Sequence, residues 1–161
     1  RIDSALACSM ACRLIKAGIS LPAALEMVNT SLMVKSADES FATLDICRLD
    51  LNSGECVIYK AGAAASYIKN ADRLLRASVA SAPAGTGGKV TLPAQKFHVS
   101  PGDLVIMTTD GAALNEEWLS RELSREFRTP QEMSEFIARS ARSSENGRED
   151  DISIITVRIA R

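Results

Sequence analysis

The spacing of hydrophobic residues changes three times along the chain, and each change marks a different kind of element. Apolar residues recur at helical spacing over residues 3–17 and again after Ser20, which predicts two helices. From residue 41 the spacing becomes two, which predicts strands. Residues 116–127 and the segment after Thr129 return to helical spacing before a final apolar strand. The predicted strands cover residues 41–50, 55–61, 66–69, 95–99, 104–107 and 152–159.

Turn and capping residues stand between these segments where the periodicity requires them. Gly18 can end the first helix, and Ser20 can cap the second, with Pro22 in its first turn. Asn52-Ser53-Gly54 is a hairpin signal, and Thr129-Pro130 is a cap followed by proline at the first helical position. The order of elements therefore predicts an α+β fold, a sandwich of largely antiparallel sheets flanked by helices.

The helical stripes predict the core-facing residues, and the cysteines are expected to join them. The predicted stripes are Leu6, Met10, Leu14 and Ile15 on the first helix, and Leu25, Val28, Leu32 and Met33 on the second. Zinc is not expected, because it requires four nitrogen or sulfur ligands and His98 is the only histidine. All four cysteines (Cys8, Cys12, Cys47 and Cys56) are interpreted as buried or half-buried hydrophobes in a reducing compartment.

Composition narrows the class of protein and of partner. With 46% hydrophobic and 24% charged residues, the 161-residue chain has enough apolar surface for one folded domain. A net charge of −1 gives no electrostatic reason to expect nucleic acid or an anionic membrane as a partner. No apolar run approaches the roughly 20 residues that a membrane-spanning helix needs. The chain begins at Arg1 without a signal peptide or a methionine, and we expect it to be part of a longer protein.

Acidic residues stand at the ends of two predicted strands. Asp110 follows the apolar run 104–107 and precedes Gly111, which permits a sharp turn, while Asp150 and Asp151 stand just before the last strand. If these strands are antiparallel neighbours, Asp110 and Asp150 lie at one edge of the sheet. Carboxylates so close favour a shared proton or a bound cation, and oxygen ligands favour Mg²⁺ or Mn²⁺. On spacing alone, an Asp-Gly pair more often marks an ordinary turn than a metal site.

The whole pattern resembles the protein phosphatase 2C family of metal-dependent phosphatases, and especially its bacterial stage II sporulation protein E subfamily. Two motifs carry the wider resemblance: Thr109-Asp110-Gly111 after a hydrophobic strand, and Asp150-Asp151 opening the last strand. The subfamily resemblance rests on four further segments: Asp38–Asp45, Lys60–Lys69, Pro83-Ala84-Gly85 and Thr129-Pro130-Gln131-Glu132. Each motif is weak alone, but their order and spacing over the chain are specific.

One motif of the family is missing. The first metal motif, Asp-Gly-x-Gly, has no counterpart, because Asp110-Gly111 is the only Asp-Gly pair in the chain. The resemblance therefore implies a single phosphatase domain over residues 1–161 that lacks its N-terminal strands and this motif. Such an N-terminally incomplete chain is not expected to be fully active by itself.

The resemblance implies hydrolysis of phosphoserine on an anti-sigma-factor antagonist, in the control of a sporulation sigma factor. Asp110 and Asp150, with the missing aspartate, would hold two Mn²⁺ or Mg²⁺ ions. No side chain is expected to be the nucleophile; a metal-activated water takes that role. Thr109, Gly111 and Asp151 are expected to contact the metal ligands and position them without being among the assigned ligands.

Two alternatives stay open at this point. One is a stress-response phosphatase of the same fold acting on a different antagonist, and the other is a catalytically inactive pseudophosphatase that serves as a binding scaffold. The resemblance also implies a cytoplasmic domain, with a parent protein anchored in the membrane and no direct membrane contact by this segment. The two N-terminal helices are candidates for a homodimer contact.

Overall fold

The computed structural model describes residues 2–35, 41–71, 73–86, 93–112, 114–125, 127–143 and 150–160. The chain divides into two compact units. Unit 1 comprises Arg1–Cys47, Val57–Ala63 and Val79–Gln95, and unit 2 comprises Arg48–Cys56, Ala64–Ser78 and Lys96–Arg161. Within the described ranges, none of the helices is both long enough and apolar enough to cross a membrane.

In the described part of the chain, four helices and six strands follow the predicted order, and a further short strand at Leu74–Ala77 lies between the third and fourth predicted strands. The helices are α1 (Ile2–Lys16), α2 (Leu21–Lys35), α3 (Glu116–Glu122) and α4 (Pro130–Arg142), with a single 3-10 turn at Asp110–Ala112. The strands are β1 (Leu44–Asp50), β2 (Glu55–Ala61), β3 (Ser66–Lys69), β4 (Leu74–Ala77), β5 (Ala94–His98), β6 (Leu104–Thr108) and β7 (Ile154–Arg158). The predicted caps are confirmed at Gly18, which has a positive φ of 85°, and at Thr129, whose side chain accepts a hydrogen bond from the amide of Glu132.

The strands form two sheets. The order is β1-β2-β5 in a three-stranded sheet and β4-β3-β6-β7 in a four-stranded sheet. In the second sheet β3 pairs antiparallel with β4 and β6, and β6 pairs antiparallel with β7. The predicted α+β class with antiparallel sheets and flanking helices is confirmed.

The core of unit 1 lies under the α1–α2 pair, but on a slightly different stripe of α1 than predicted. Its buried members are Ala7, Ala11, Leu25, Val28, Leu32, Ala42 and Ala84, with Met10 and Leu14 packed against them. Ile15 and Met33 were predicted to face the core, and this is wrong: both side chains are exposed. Ala7 and Ala11 are the buried residues of α1, so the buried stripe is rotated away from Ile15.

The same rotation corrects the interpretation of the cysteines. Cys8 and Cys12 are exposed rather than buried, because each directly follows one of the core alanines and therefore lies about 100° further around the helix. Cys47 is half-buried and Cys56 is buried, as predicted.

In unit 2 the helices α3 and α4 cover one face of the four-stranded sheet. Their core combines the buried strand residues Tyr67, Leu104 and Ile106 with Leu119, Leu123, Met133 and Ile137 of the helical segments. The ring of Phe136 stacks on Trp118 with 6.0 Å between centroids and contacts Phe127 at 5.5 Å. The apolar residues at helical spacing in these two segments therefore pack into the core of unit 2.

Helix α3 is shorter than predicted. The pattern indicated a helix over 116–127, whereas α3 ends at Glu122. Beyond it, the amides of Ser124 and Arg125 bond to carbonyls three residues back, which tightens the chain into turns. Phe127 keeps its predicted contact with the core through this turn rather than through a helix.

Candidate metal centre at the edge of β6 and β7

Strands β6 and β7 end at the same edge of the four-stranded sheet. They pair antiparallel in the register Leu104 with Arg158 through Thr108 with Ile154. The residue after β6 is thus brought beside the residues before β7. This antiparallel pairing is the spatial arrangement that the sequence predicted, and it is confirmed.

Thr109 extends the pairing by one more step and fixes the backbone before β7. Its amide donates to the carbonyl of Ser153 over 3.1 Å, and its hydroxyl accepts from the amide of Ser153 over 2.9 Å. The same hydroxyl donates to the carbonyl of Asp151 over 3.2 Å. Thr109 therefore holds the 151–153 backbone against the end of β6, as expected for a residue that supports the acidic segment.

Gly111 lies directly against the acidic segment. A β-carbon at this position would lie 2.9 Å from the carbonyl oxygen of Asp151 and 3.3 Å from the β-carbon of Asp150. The first distance is shorter than real β-carbons tolerate, so any side chain here would displace the backbone of Asp151. Glycine is required at 111 for space, and the 3-10 turn that begins at Asp110 packs directly on Asp150 and Asp151 as a result.

The carboxylates at this edge face solvent. Asp110, Asp150 and Asp151 are all exposed. One oxygen of Asp150 accepts a hydrogen bond from the amide of Asp151 over 2.8 Å. Among the residues that the structure describes, no lysine or arginine forms an ion pair with Asp110 or Asp150. These two side chains are therefore not held by a cationic partner within the described part of the chain.

The carboxylates at this edge are the right kind of ligand for a hard divalent cation, but the described residues bring too few of them together. Carboxylate oxygens are ligands that Mg²⁺ and Mn²⁺ prefer. Across the described ranges, however, no three residues of the types His, Cys, Asp and Glu come together in a way that could hold an ion. The edge of β6 and β7 can thus supply part of a metal site, and further oxygen ligands are needed to complete it.

The sequence did not predict a buried ion pair between neighbouring strands β1 and β2. Lys60 of β2 is 1% exposed, and its ammonium nitrogen donates to Asp45 of β1 over 2.8 Å. Burial lowers the pKa of Lys60, whereas the hydrogen bond and the charge of Asp45 oppose that shift. One signal in the sequence could have indicated that Lys60 is buried: it lies on the same face of β2 as the apolar residues Cys56 and Ile58.

His98 gives no sign of a catalytic role. It is exposed at the end of β5, where its ring packs on Gly54 of the β1–β2 hairpin. It borders an open surface groove of about 530 Å³ with Asp50, Leu51 and Pro101. This position is that of a surface residue.

Comparison with solved structures defines the class of protein. The chain superimposes with a TM-score of 0.85 on the PP2C phosphatase domain with a fragment of the regulatory domain of SpoIIE from Bacillus subtilis, at 24% identity, over 98% of this chain and 50% of that one. It also matches the phosphatase domain of the same protein presoaked with Mn, with a TM-score of 0.66 and 24% identity, over 96% of this chain and 73% of that one. The fold is that of a PP2C-type phosphatase domain.

The family follows from the sequence itself. The model of the family described as stage II sporulation protein E (SpoIIE) matches residues 2–160. The chain belongs to the stage II sporulation protein E family, which confirms the resemblance drawn from its motifs. It is 26% identical over 156 residues to stage II sporulation protein E of Bacillus subtilis, which covers 91% of this chain. The chain spans only 19% of the length of that relative.

Proposed function

We propose that this chain is part of a metal-dependent protein serine phosphatase and contributes Asp110 and Asp150 as two of its metal-binding carboxylates. The observation that carries the proposal is the contact of Gly111 with Asp150 and Asp151 at the shared end of β6 and β7. This contact brings two exposed carboxylate-bearing segments together from distant parts of the sequence. Membership of the family supports the same role.

The roles of the chain's own residues follow from this geometry. Asp110 and Asp150 would offer oxygen ligands from two backbone segments that Thr109 ties together. Gly111 keeps the two segments in contact, and Asp151 holds the Asp150 carboxylate through its amide. When bound, Mn²⁺ or Mg²⁺ supplies an activated water and neutralises the phosphate oxygens. The two ions expected for the family need at least one more carboxylate than the described residues bring together.

The proposed substrate is phosphoserine on an anti-sigma-factor antagonist, which rests on the family resemblance. The test compares phosphate release by the natural full-length protein from two phosphorylated antagonists, one of the sporulation type and one of the stress-response type. Preference for the sporulation antagonist supports the proposal, and preference for the other supports the stress-response alternative. We propose a cytoplasmic location, since the antagonist acts there.

The decisive test of the metal ligands is Asp110→Asn in the natural full-length protein. With Mn²⁺ present, we expect kcat/KM for a phosphorylated antagonist to fall by at least about 100-fold, because a lost ligand costs no less than a lost supporting contact. Glu135→Gln is a matched control, since Glu135 is an exposed carboxylate on α4 that pairs with Gln131 and Arg139 of the same helix. Equal activity of the two variants would contradict the proposal.

Metal titration tests the scaffold alternative. Isothermal titration of the natural full-length protein with Mn²⁺ should give heat that Asp150→Asn abolishes. A protein that binds no Mn²⁺ and releases no phosphate would instead be a pseudophosphatase.

We further propose a homodimer contact on the outer face of α2. Val34 is 81% exposed, and Met27 and Met33 are also exposed, so this face of α2 leaves three large apolar side chains uncovered. The hydroxyls of Thr30 and Ser31 donate to carbonyls of the same helix and so make this face less polar. Sedimentation of Val34→Lys should show a monomer where the unaltered protein is a dimer. A monomer in both cases would disprove the contact.

A further inference from the structure

A short segment of unit 1, Ser81–Thr86, is tied to three separate parts of that unit, and we call it the strap. The first tie is the Ser81 hydroxyl, which donates to the carbonyl of Lys60 over 3.2 Å and accepts from the amide of Gly62 over 3.1 Å. One side chain thus completes the hydrogen bonding at the end of β2. Pro83 packs on Gly62 so tightly that a β-carbon at 62 would lie 2.7 Å from its ring.

The second tie joins the strap to Ala42, two residues before β1 begins. Ala84 and Ala42 exchange two backbone hydrogen bonds, each 2.9 Å long, in an isolated antiparallel bridge. Both alanines are buried in the core of unit 1. The bridge has no neighbouring ladder of its own, so its two bonds depend on how the rest of the strap is held.

The third tie is a buried amide side chain on α2. Asn29 is 4% exposed, and its carbonyl oxygen accepts from the amide of Gly85 over 2.7 Å. Its amide group donates to the sulfur of Met33 over 3.5 Å. Gly85 has a positive φ of 94°, which turns its amide toward the helix and which other residues rarely adopt. Asn29 thus ties α2 to the strap through a side-chain hydrogen bond.

A buried polar side chain with a partner 56 residues away costs free energy unless that partner stays in place. If α2 moved relative to the strap, both the oxygen of Asn29 and the amide of Gly85 would be left buried without each other. The bond therefore penalises separate movement of the two segments far more than an apolar contact would, since an apolar contact can slide.

We infer that Asn29 is a latch that makes helix α2 and the strap move together, so that displacement of α2 would open the Ala42–Ala84 bridge. This coupling lies within unit 1 and is independent of the proposed metal ligands. It gives an event on the outer face of α2 a route to the start of β1 and the end of β2.

Hydrogen exchange measured residue by residue on the intact protein tests the latch with Asn29→Ala. The amides of Gly85, Ala84 and Ala42 should all exchange about five times faster, the factor that corresponds to one typical hydrogen bond. The amides of Ala84 and Ala42 donate to each other's carbonyls and not to Asn29, so their change reports coupling rather than the loss of their own hydrogen-bond acceptor. Faster exchange at Gly85 alone, or equal acceleration throughout unit 1, would overturn the inference.

Two further variants keep the test sharp. Thr30→Ala is the matched control, because Thr30 is the next residue on α2 and its hydroxyl bonds only within the helix; the strap amides should not change. Asn29→Asp keeps an acceptor for Gly85 and should restore slow exchange there in comparison with Asn29→Ala. If Asn29→Ala does not fold, Asn29→Asp must still leave Gly85 protected, and loss of that protection counts against the latch.

Discussion

Two carboxylates of this protein, Asp45 on β1 and Asp110 just after β6, have opposite surroundings. Asp45 is 14% exposed and accepts a hydrogen bond from the buried ammonium of Lys60. Asp110 is exposed and forms no ion pair within the described ranges. A carboxylate with an internal cation serves the fold, whereas a carboxylate left to solvent beside a second one can bind a cation from outside. The same residue type thus acquires different roles from its neighbours.

The largest expected effect breaks the internal pair. Lys60→Met removes the cation from beside Asp45 and leaves a charge in the interior, so the free energy of unfolding should fall by about 3–5 kcal/mol. Urea unfolding followed by circular dichroism measures this. Lys96→Met is the control. Lys96 is exposed, and its ion pair with Glu55 is a long surface contact of 3.7 Å, so the free energy of unfolding should change by no more than about 0.5 kcal/mol. A loss below about 1 kcal/mol for Lys60→Met would show that the pair is not structural.

The next effect falls on the exposed edge. Gly111→Ala places a β-carbon 2.9 Å from the carbonyl of Asp151, and overpacking of this kind should lower the free energy of unfolding by about 1–3 kcal/mol. It should also weaken Mn²⁺ binding about 10- to 100-fold in a titration, because the Asp150 segment shifts. Gly18→Ala introduces strain at a positive φ in open space and should leave Mn²⁺ binding unchanged. Unaltered Mn²⁺ affinity in Gly111→Ala would separate the glycine from the metal site.

A third prediction concerns pH and a group that, like Lys60, is buried. Burial, followed by the charge of Glu116, raises the pKa of Tyr67 above its usual value of 10.0, while Arg76 opposes the shift. Because the pKa is higher in the folded protein, Tyr67 contributes stability that is complete below pH 10.0 and is lost as the pH rises through the folded-state pKa.

Tyr67→Phe should therefore reduce the loss of stability above pH 10.0 and leave the neutral range little changed. Thermal unfolding of both proteins across the alkaline range measures the difference. Parallel curves for the variant and the unaltered protein would mean that ionisation of Tyr67 does not limit alkaline stability.

The smallest expected effect on stability comes from the exposed carboxylate of the comparison, Asp110. Asp110→Asn should change the free energy of unfolding by no more than about 0.5 kcal/mol, because the side chain is exposed and has no ion pair among the described residues. The same variant should lose Mn²⁺-dependent heat in titration. A large destabilisation without metal would give Asp110 a structural role like that of Asp45.

The acidic edge could be predicted because it depends on local signals. An apolar strand that ends in Asp110-Gly111 and another that begins after Asp150 are visible as patterns, and antiparallel pairing then brings their ends together. The sequence pattern does not predict the contact between Gly111 and Asp150, but the contact follows once β6 and β7 pair in this register.

The internal contacts could not be predicted, because they join residues that are distant in sequence. Nothing local to Lys60 indicates that Asp45 faces it from the neighbouring strand, and nothing near Asn29 points to Gly85. The rotated stripe of α1 has a similar origin. Leu6 and Met10 are the larger apolar residues, but close approach of α2 selects Ala7 and Ala11 as the contact, a choice that depends on the partner helix.

The bond between Thr109 and Asp151 closes a loop of 42 residues that includes all of α3 and α4. Closing so long a loop is entropically expensive, and it is compensated only after the helices have covered the sheet. Partly folded molecules would therefore lack the acidic edge altogether. A cation that binds at this edge would therefore bind only the fully folded protein. Raising its concentration would shift the equilibrium toward the folded state.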